Sequence, residues 1–275
     1  MRRSTADSVH ATSRRSALRV LAAMMLAGGL AACGRQANVP TSSTPASSAP
    51  APSAAVAAAT TVPDLSGVWR LAAPVEKLQT TAGGAPPLLP AAQMEYEKHQ
   101  QAAARGDRSW DPVTWCKPPG EPRTLLQDAW PFEIVQTGNR VEFLYQWNRL
   151  TRAIPLLPKQ DTFVGPFYFG QSVGEWEGNT LVVDVVGVNG DTFLDPSGLP
   201  HTDDMHMTER FQLSADGQSL DLVLQIEDPA TYSAPWQSRL RFVRQPAGSV
   251  REDDCEVRLH QEARYPVLPQ RLYPK

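Results

Sequence analysis

The segment His201-Thr202-Asp203-Asp204-Met205-His206 places two imidazoles and two carboxylates within six residues. An imidazole whose tautomer is fixed by a carboxylate can move a proton near neutral pH, and His201 with Asp203 has the residue types for that work. The competing assignment makes Thr202 or Asp203 a turn former and leaves His201 on the surface. Glu209 follows shortly. Met205, Met207, Phe211 and Leu213 mark one face of a strand-like stretch, and Glu209 falls on that same face. A carboxylate among apolar neighbours must be paired or carry a raised pKa. It would act as a general acid or base, or pair with an inward arginine; Arg149, Arg152, Arg239 and Arg241 are the candidates. His201, Asp203 and His206 also offer nitrogen and oxygen ligands. Their spacing matches no zinc pattern, strand alternation turns His206 away from Glu209, and no metal is expected.

Asp184 sits within Leu181-Val182-Val183-Asp184-Val185-Val186, where it either points into a cavity or caps a neighbouring loop. The sixteen residues from Asn189 to Asp204 have little periodicity and many polar groups, and loops of that length in compact domains are often functional. Rings are plentiful: Phe163, Phe167, Tyr168 and Phe169 lie within seven residues, and Trp130, Trp147 and Trp236 lie near other motifs. Most must pack the core, while an apolar pocket edged by a few polar groups is the usual makeup of a small-molecule site. For a ligand, Trp147, Phe193 and Trp236 are the expected contacts, with Asp184, Asn189 and His206 orienting it beside His201 and Glu209. If the chain is an enzyme, His201, Asp203 and Glu209 would carry proton transfer in an isomerisation or lyase reaction. Gly170-Gln171-Ser172-Val173-Gly174 has the spacing of a nucleophile elbow but lacks its strand–turn–helix context, since Trp176 and a Glu177-Gly178-Asn179 turn follow. Phosphate-cradling and dinucleotide-binding glycine patterns are absent, and no cofactor is expected.

The elements that must position these groups are mostly strands. Val141, Phe143, Tyr145 and Trp147 alternate with more polar residues, as do Leu220, Leu222, Leu224 and Ile226. Thr137-Gly138-Asn139-Arg140, Glu177-Gly178-Asn179 and Ala215-Asp216-Gly217 read as hairpin turns between such runs. Strands are predicted near 65–72, 132–137, 140–147, 149–154, 171–177, 180–188, 205–213, 219–227, 237–244 and 255–261. One helix is predicted over Ala91–Arg105, opening after Pro90 and closing at Gly106. Short antiparallel strands with tight turns indicate an up-and-down barrel or a sandwich. Asp64-Leu65-Ser66-Gly67-Val68-Trp69 resembles the Gly-x-Trp first strand of lipocalin-like barrels, in which the Trp closes the barrel floor and the Gly permits close packing. An all-β, lipocalin- or calycin-like antiparallel barrel with one short helix is therefore the expected fold.

Gly170 to Asp184, then Pro200-His201-Thr202-Asp203, Glu209-Arg210-Phe211, Asp228-Pro229 and Tyr232-Ser233-Ala234-Pro235-Trp236, resemble in order a family of secreted bacterial proteins of uncharacterised activity. The resemblance spans roughly the second half of the domain and implies no reaction.

The N-terminus reads as an address. Arg14, Arg15 and Arg19 precede an apolar run from Val20 to Ala32, shorter than the roughly 20 residues that span a bilayer and suited to a cleaved signal peptide over residues 1–32. Ser13 to Arg19 resembles a twin-arginine signal with Ala17 where Phe is usual, so Tat and Sec export both stand. Leu30-Ala31-Ala32-Cys33 resembles a bacterial lipobox, which implies acylation of Cys33 and attachment to the membrane through lipid. Gly34 after the cysteine, by resemblance to Gram-negative lipoproteins, implies the outer membrane, with the domain facing the periplasm. Residues 33–63 are nearly all Ala, Ser, Thr and Pro with Arg35 as the one charge, a disordered tether reaching on the order of 30 Å.

The chain has 275 residues and a formal charge of −3. Loss of residues 1–32 removes five basic side chains and Asp7, leaving 21 basic and 28 acidic residues and a charge of −7. An acidic surface disfavours nucleic acid and anionic lipid as partners. The remaining 64–275, about 210 residues, suffice for one core. Cys116 and Cys255, an even pair in an oxidising compartment, are expected to form a disulfide. The expected whole is an envelope lipoprotein whose barrel cavity binds a small, largely apolar ligand. An acid–base enzyme in the same cavity and a ligand-free structural lipoprotein are the alternatives.

Overall fold

Period-two alternation recurs along the chain from Gly67 onward, and in a computed structural model it resolves, among the described residues, into nine antiparallel strands of one sheet. The structure describes residues 62–156, 165–246, 248 and 250–264. The expected signal segment 1–32, Cys33, the expected tether as far as residue 61, and Phe163 lie outside the described residues. In order the elements are β1 (Gly67–Leu71), α1 (Pro90–Ala104), β2 (Phe132–Gln136), β3 (Arg140–Tyr145), β4 (Thr151–Pro155), β5 (Gln171–Glu177), β6 (Thr180–Val186), β7 (His206–Leu213), β8 (Ser219–Glu227), β9 (Trp236–Arg244) and α2 (Cys255–Arg264). Single 3-10 turns occur at Pro112–Trp115, Arg123–Leu126 and Trp147–Arg149.

The strand order is β4-β3-β2-β1-β9-β8-β7-β6-β5, two up-and-down meanders joined where β9 pairs with β1. The sheet curls into a nearly closed barrel whose seam lies between β4 and β5. Side chains bridge it. Arg152 on β4 donates to Ser172 Oγ on β5 at 3.1 and 2.9 Å. Gly174 admits the other wall: a Cβ there would stand 2.9 Å from Ile154 and 3.0 Å from Leu156.

Every strand turns alternate residues inward. Trp69, Phe143, Phe211, Leu222, Leu224 and Phe242 are fully buried, each contributing about 1.5–3 kcal/mol. Gly67 has φ +135°, and a Cβ there would lie 2.2 Å from Arg244 Nη1. The guanidinium instead rests 4.3 Å from the Trp69 ring centroid and donates to Ser66 O and Gly217 O. The Gly-x-Trp spacing thus seats one arginine against the ring.

The predicted strand at 255–261 is a correction: Cys255–Arg264 is helix α2. Asp254 Oδ1 accepts the Val257 N–H at 3.0 Å, satisfying a first-turn donor as a helix cap does. Val257 and Leu259 within it are about half exposed. Cys116 and Cys255 are bonded, so the disulfide ties the turn after β1 and α1 to the start of a helix.

Candidate functional site

Three places hold the residues that could do chemistry. The first is inside the barrel. Glu209 on β7 faces inward as its alternation requires, and of the four candidate arginines only Arg152 reaches it, with bidentate bonds of 3.0 and 2.8 Å. Arg239 and Arg241 face out from β9, Arg241 paired with Asp221, and Arg149 is held by Glu252 and Asp254. A second carboxylate enters the same space from the buried segment before the Arg123–Leu126 turn. Glu121 Oε1 accepts from the Tyr145 hydroxyl at 2.5 Å and lies 3.6 Å from Arg152. Its Oε2, also buried, has no hydrogen-bond partner among the described residues. Burial, reinforced by Glu209 and opposed by Arg152, raises the Glu121 pKa to about 7. Two carboxylates facing one guanidinium are balanced when one of them holds a proton, and Glu121 is placed to hold it.

The second place is the loop Asn189–Asp204, organised by two buried aspartates. Asp195 accepts from the backbone of Leu78, Ser197 and Leu199, and Asp228 takes the Thr202 N–H and the Thr231 hydroxyl, both at 2.7 Å. His201 is buried, its Nε2 bonded to Thr192 Oγ1 and its Nδ1 to the Thr202 carbonyl, each at 3.0 Å. Burial lowers its pKa against the pull of the Thr202 carbonyl and Asp228. Asp203, exposed, accepts the Gly190 N–H at 2.6 Å instead of orienting the imidazole. Nor do His201 and Glu209 share a site. Thr202 is anchored at Asp228, four residues along the chain from Leu224, the cross-strand partner of Glu209, a rise of about 13 Å. The structure therefore does not bring His201, Asp203 and Glu209 together.

The expected ligand contacts also disperse. Asp184 and His206 bond to each other on the outer face of β6 and β7, away from the barrel interior. Asn189 caps its own loop by accepting the Asp191 N–H. Phe193 packs edge-on against His99 and Trp110, and Trp147 is buried within its 3-10 turn. The barrel interior is packed as well. Inward side chains from Trp69 to Phe242 are 0–8% exposed, so they touch one another and not a water-sized space.

Of the expected ligand contacts, Trp236 borders a depression among the described residues. This third place lies on the outer wall, between the segment 80–87 and the β8–β9 hairpin, with a volume of about 480 Å³. Thr80, Thr81, Gln225, Gln237, Pro87 and Pro235 border it together with Trp236, whose side chain turns from β9 toward the core while that of Gln237 faces out. The wall is fixed by β-type bonds: Thr81 N donates to Gln237 O at 2.8 Å, and Leu88 bridges to Tyr232. Trp236 packs against Tyr232 at 5.4 Å, and its Nε1 is buried with no acceptor among the described residues. Sequence reasoning placed Glu209 inward with Arg152 among its candidate partners but missed Glu121 and Tyr145 as its donor. Glu121 lies in an aperiodic Pro- and Gly-rich stretch, and nothing in its neighbours marks it as inward.

Fold and geometry together define an antiparallel β-barrel with a buried ionic core and a polar cleft on its wall. The sequence matches no protein-family model, and comparison with curated proteins finds no relative.

Proposed function

We propose that the chain is a cell-envelope lipoprotein, anchored by acylated Cys33, whose barrel is a binding module for a small uncharged ligand. The lipobox-like Leu30-Ala31-Ala32-Cys33 and the Ala/Ser/Thr/Pro tether support the anchor. The cleft beside Trp236 carries the binding reading. Its volume of about 480 Å³ falls in the range of small-molecule sites, and Thr80, Thr81, Gln225 and Gln237 border it beside Pro87 and Pro235. The inward rings pack against one another, so the reading rests on the depression on the barrel wall.

Two measurements test this reading. Labelled palmitate incorporated by the wild type and not by Cys33→Ser, with membrane fractionation lost in parallel, supports the anchor; incorporation by neither variant overturns it. Native mass spectrometry of protein purified from its envelope, followed by small-molecule titration of Trp236→Ala, tests the module. A ligand carried by the wild type and released by the variant supports it. Ligand retained at full occupancy by Trp236→Ala removes the cleft as its site.

A further inference from the structure

We infer that the seam between β4 and β5 is a pH-gated opening in the barrel wall, closed while Arg152 bridges to Ser172 and parted when Glu121 ionises. These two strands end the sheet, and no backbone ladder joins them among the described residues. Each of the other strands is bonded to a neighbour on both sides. The seam is held instead by side chains. Arg152 Nε and Nη2 both donate to Ser172 Oγ, and Ile154 and Leu156 stand close against Gly174. Exposure within the ionic cluster rises toward this seam: Glu121 and Glu209 are 0% exposed, Arg152 and Tyr145 3%, and Ser172 8%. Ser172 is therefore where the cluster comes nearest to solvent.

The groups that face Glu121 make Arg152 the moving part. They are Tyr145 from β3, Arg152 from β4 and Glu209 from β7. From the 189–204 loop, His201 stands behind Thr192, which lies against Gly120; burial lowers the His201 pKa, so it is neutral where Glu121 titrates. Tyr145 stays a neutral donor, because burial and the Glu121 carboxyl push its pKa up. Arg152 stays a cation, because against burial the Glu209 and Glu121 carboxyls raise its pKa. Glu209 takes both Nη atoms, whereas Glu121 Oε1 lies 3.6 Å from Nη1, outside hydrogen-bond reach. Burial keeps the Glu121 proton in place up to about pH 7, and the arrangement is balanced while it is there. Once it leaves, a second anion with an unpartnered oxygen competes for one guanidinium. The planar fork cannot turn to Glu121 and keep all four of its present bonds, and the neutral Ser172 hydroxyl is the weaker acceptor. Arg152 therefore leaves Ser172, the seam loses its polar bridge, and the surplus buried charge draws in water there.

The test is amide hydrogen exchange of the intact protein at pH 5 and pH 8, in low urea, with each rate divided by its intrinsic chemical rate. Opening at β4 and β5 should increase up to about 70-fold between the two pH values, because the open seam returns Glu121 to its ordinary pKa. It should also be nearly independent of urea and more frequent than opening at β8, as local opening is. Glu121→Gln should remove the pH dependence. Ser172→Ala keeps the ionic cluster and deletes the bridge, so its seam should already open more often at pH 5. Exchange of β4 and β5 with the same frequency and urea dependence as β8 overturns the inference, since the seam then opens only when the whole barrel unfolds. A pH dependence that persists in Glu121→Gln overturns Glu121 as the trigger. Ser172→Ala exchanging like the wild type at pH 5 overturns the Arg152–Ser172 bridge as the latch.

Discussion

Glu121→Gln should remove a pH dependence from the stability of the barrel. The Glu121 carboxyl is held at a pKa of about 7 in the folded protein, against an ordinary value of 4.5. Between those values the folded state keeps a proton that the unfolded chain has released. Stability contributed by the neutral carboxyl is therefore complete below pH 4.5 and is lost as pH rises through 7. The interval corresponds to about 3 kcal/mol, and no discount for solvent applies because the group is fully buried. His201 works in the opposite sense. Its lowered pKa makes stability fall as pH drops below its ordinary value of 6.5, so the wild-type profile alone mixes the two. The difference between wild type and Glu121→Gln cancels His201. Urea denaturation at intervals from pH 4 to 8 should give nearly equal stabilities at pH 4, with the variant ahead by about 3 kcal/mol at pH 8. Parallel curves across that range would refute the buried-proton argument, because glutamine keeps the acceptor for Tyr145 and changes only the ionisation.

Other substitutions test the framework around it. Arg152→Met leaves Glu209 and Glu121 buried without their cation and should cost about 3–5 kcal/mol by denaturant midpoint; a cost under 1 kcal/mol would mean the cluster is open to water. Gly67→Ala meets both a φ of +135° and the Arg244 guanidinium, so it should lower stability by about 1–3 kcal/mol. Arg244→Ala combined with it should cost less than the sum, since the two changes remove one contact. Cys116→Ser with Cys255→Ser opens a loop of 139 residues and should lower stability by up to about 5 kcal/mol, read as a shift in midpoint under non-reducing conditions only.

Local pattern made the strands legible. Alternation in Val141–Tyr145, Met207–Leu213 and Leu220–Ile226 is a short-range property, and each run forms a strand at nearly the predicted bounds. The same alternation put Glu209 on the inward face. It failed at Cys255–Arg264, where Val257 and Leu259 alternate just as well but Asp254 caps a helix and no sheet edge receives the segment. It also said nothing of depth. His201 and Asp203 are close in sequence, yet one imidazole is buried against Thr192 while its neighbouring carboxylate turns outward to Gly190.

By itself the sequence determined short antiparallel strands joined by tight turns, the pairing of Cys116 with Cys255 and the buried side of most strands, because turn chemistry, cysteine parity and side-chain period are written within a few residues. Tertiary structure alone decided the partners. Arg152 meets Glu209 across 57 positions, Glu121 meets Tyr145 from an aperiodic segment, and the Thr81 N–H meets the Gln237 carbonyl. Those meetings depend on closure of the sheet through β1 and β9, a long-range event that carries no local signal. Closure also drew the rings of Trp69, Phe143, Phe211 and Phe242 inward into one core.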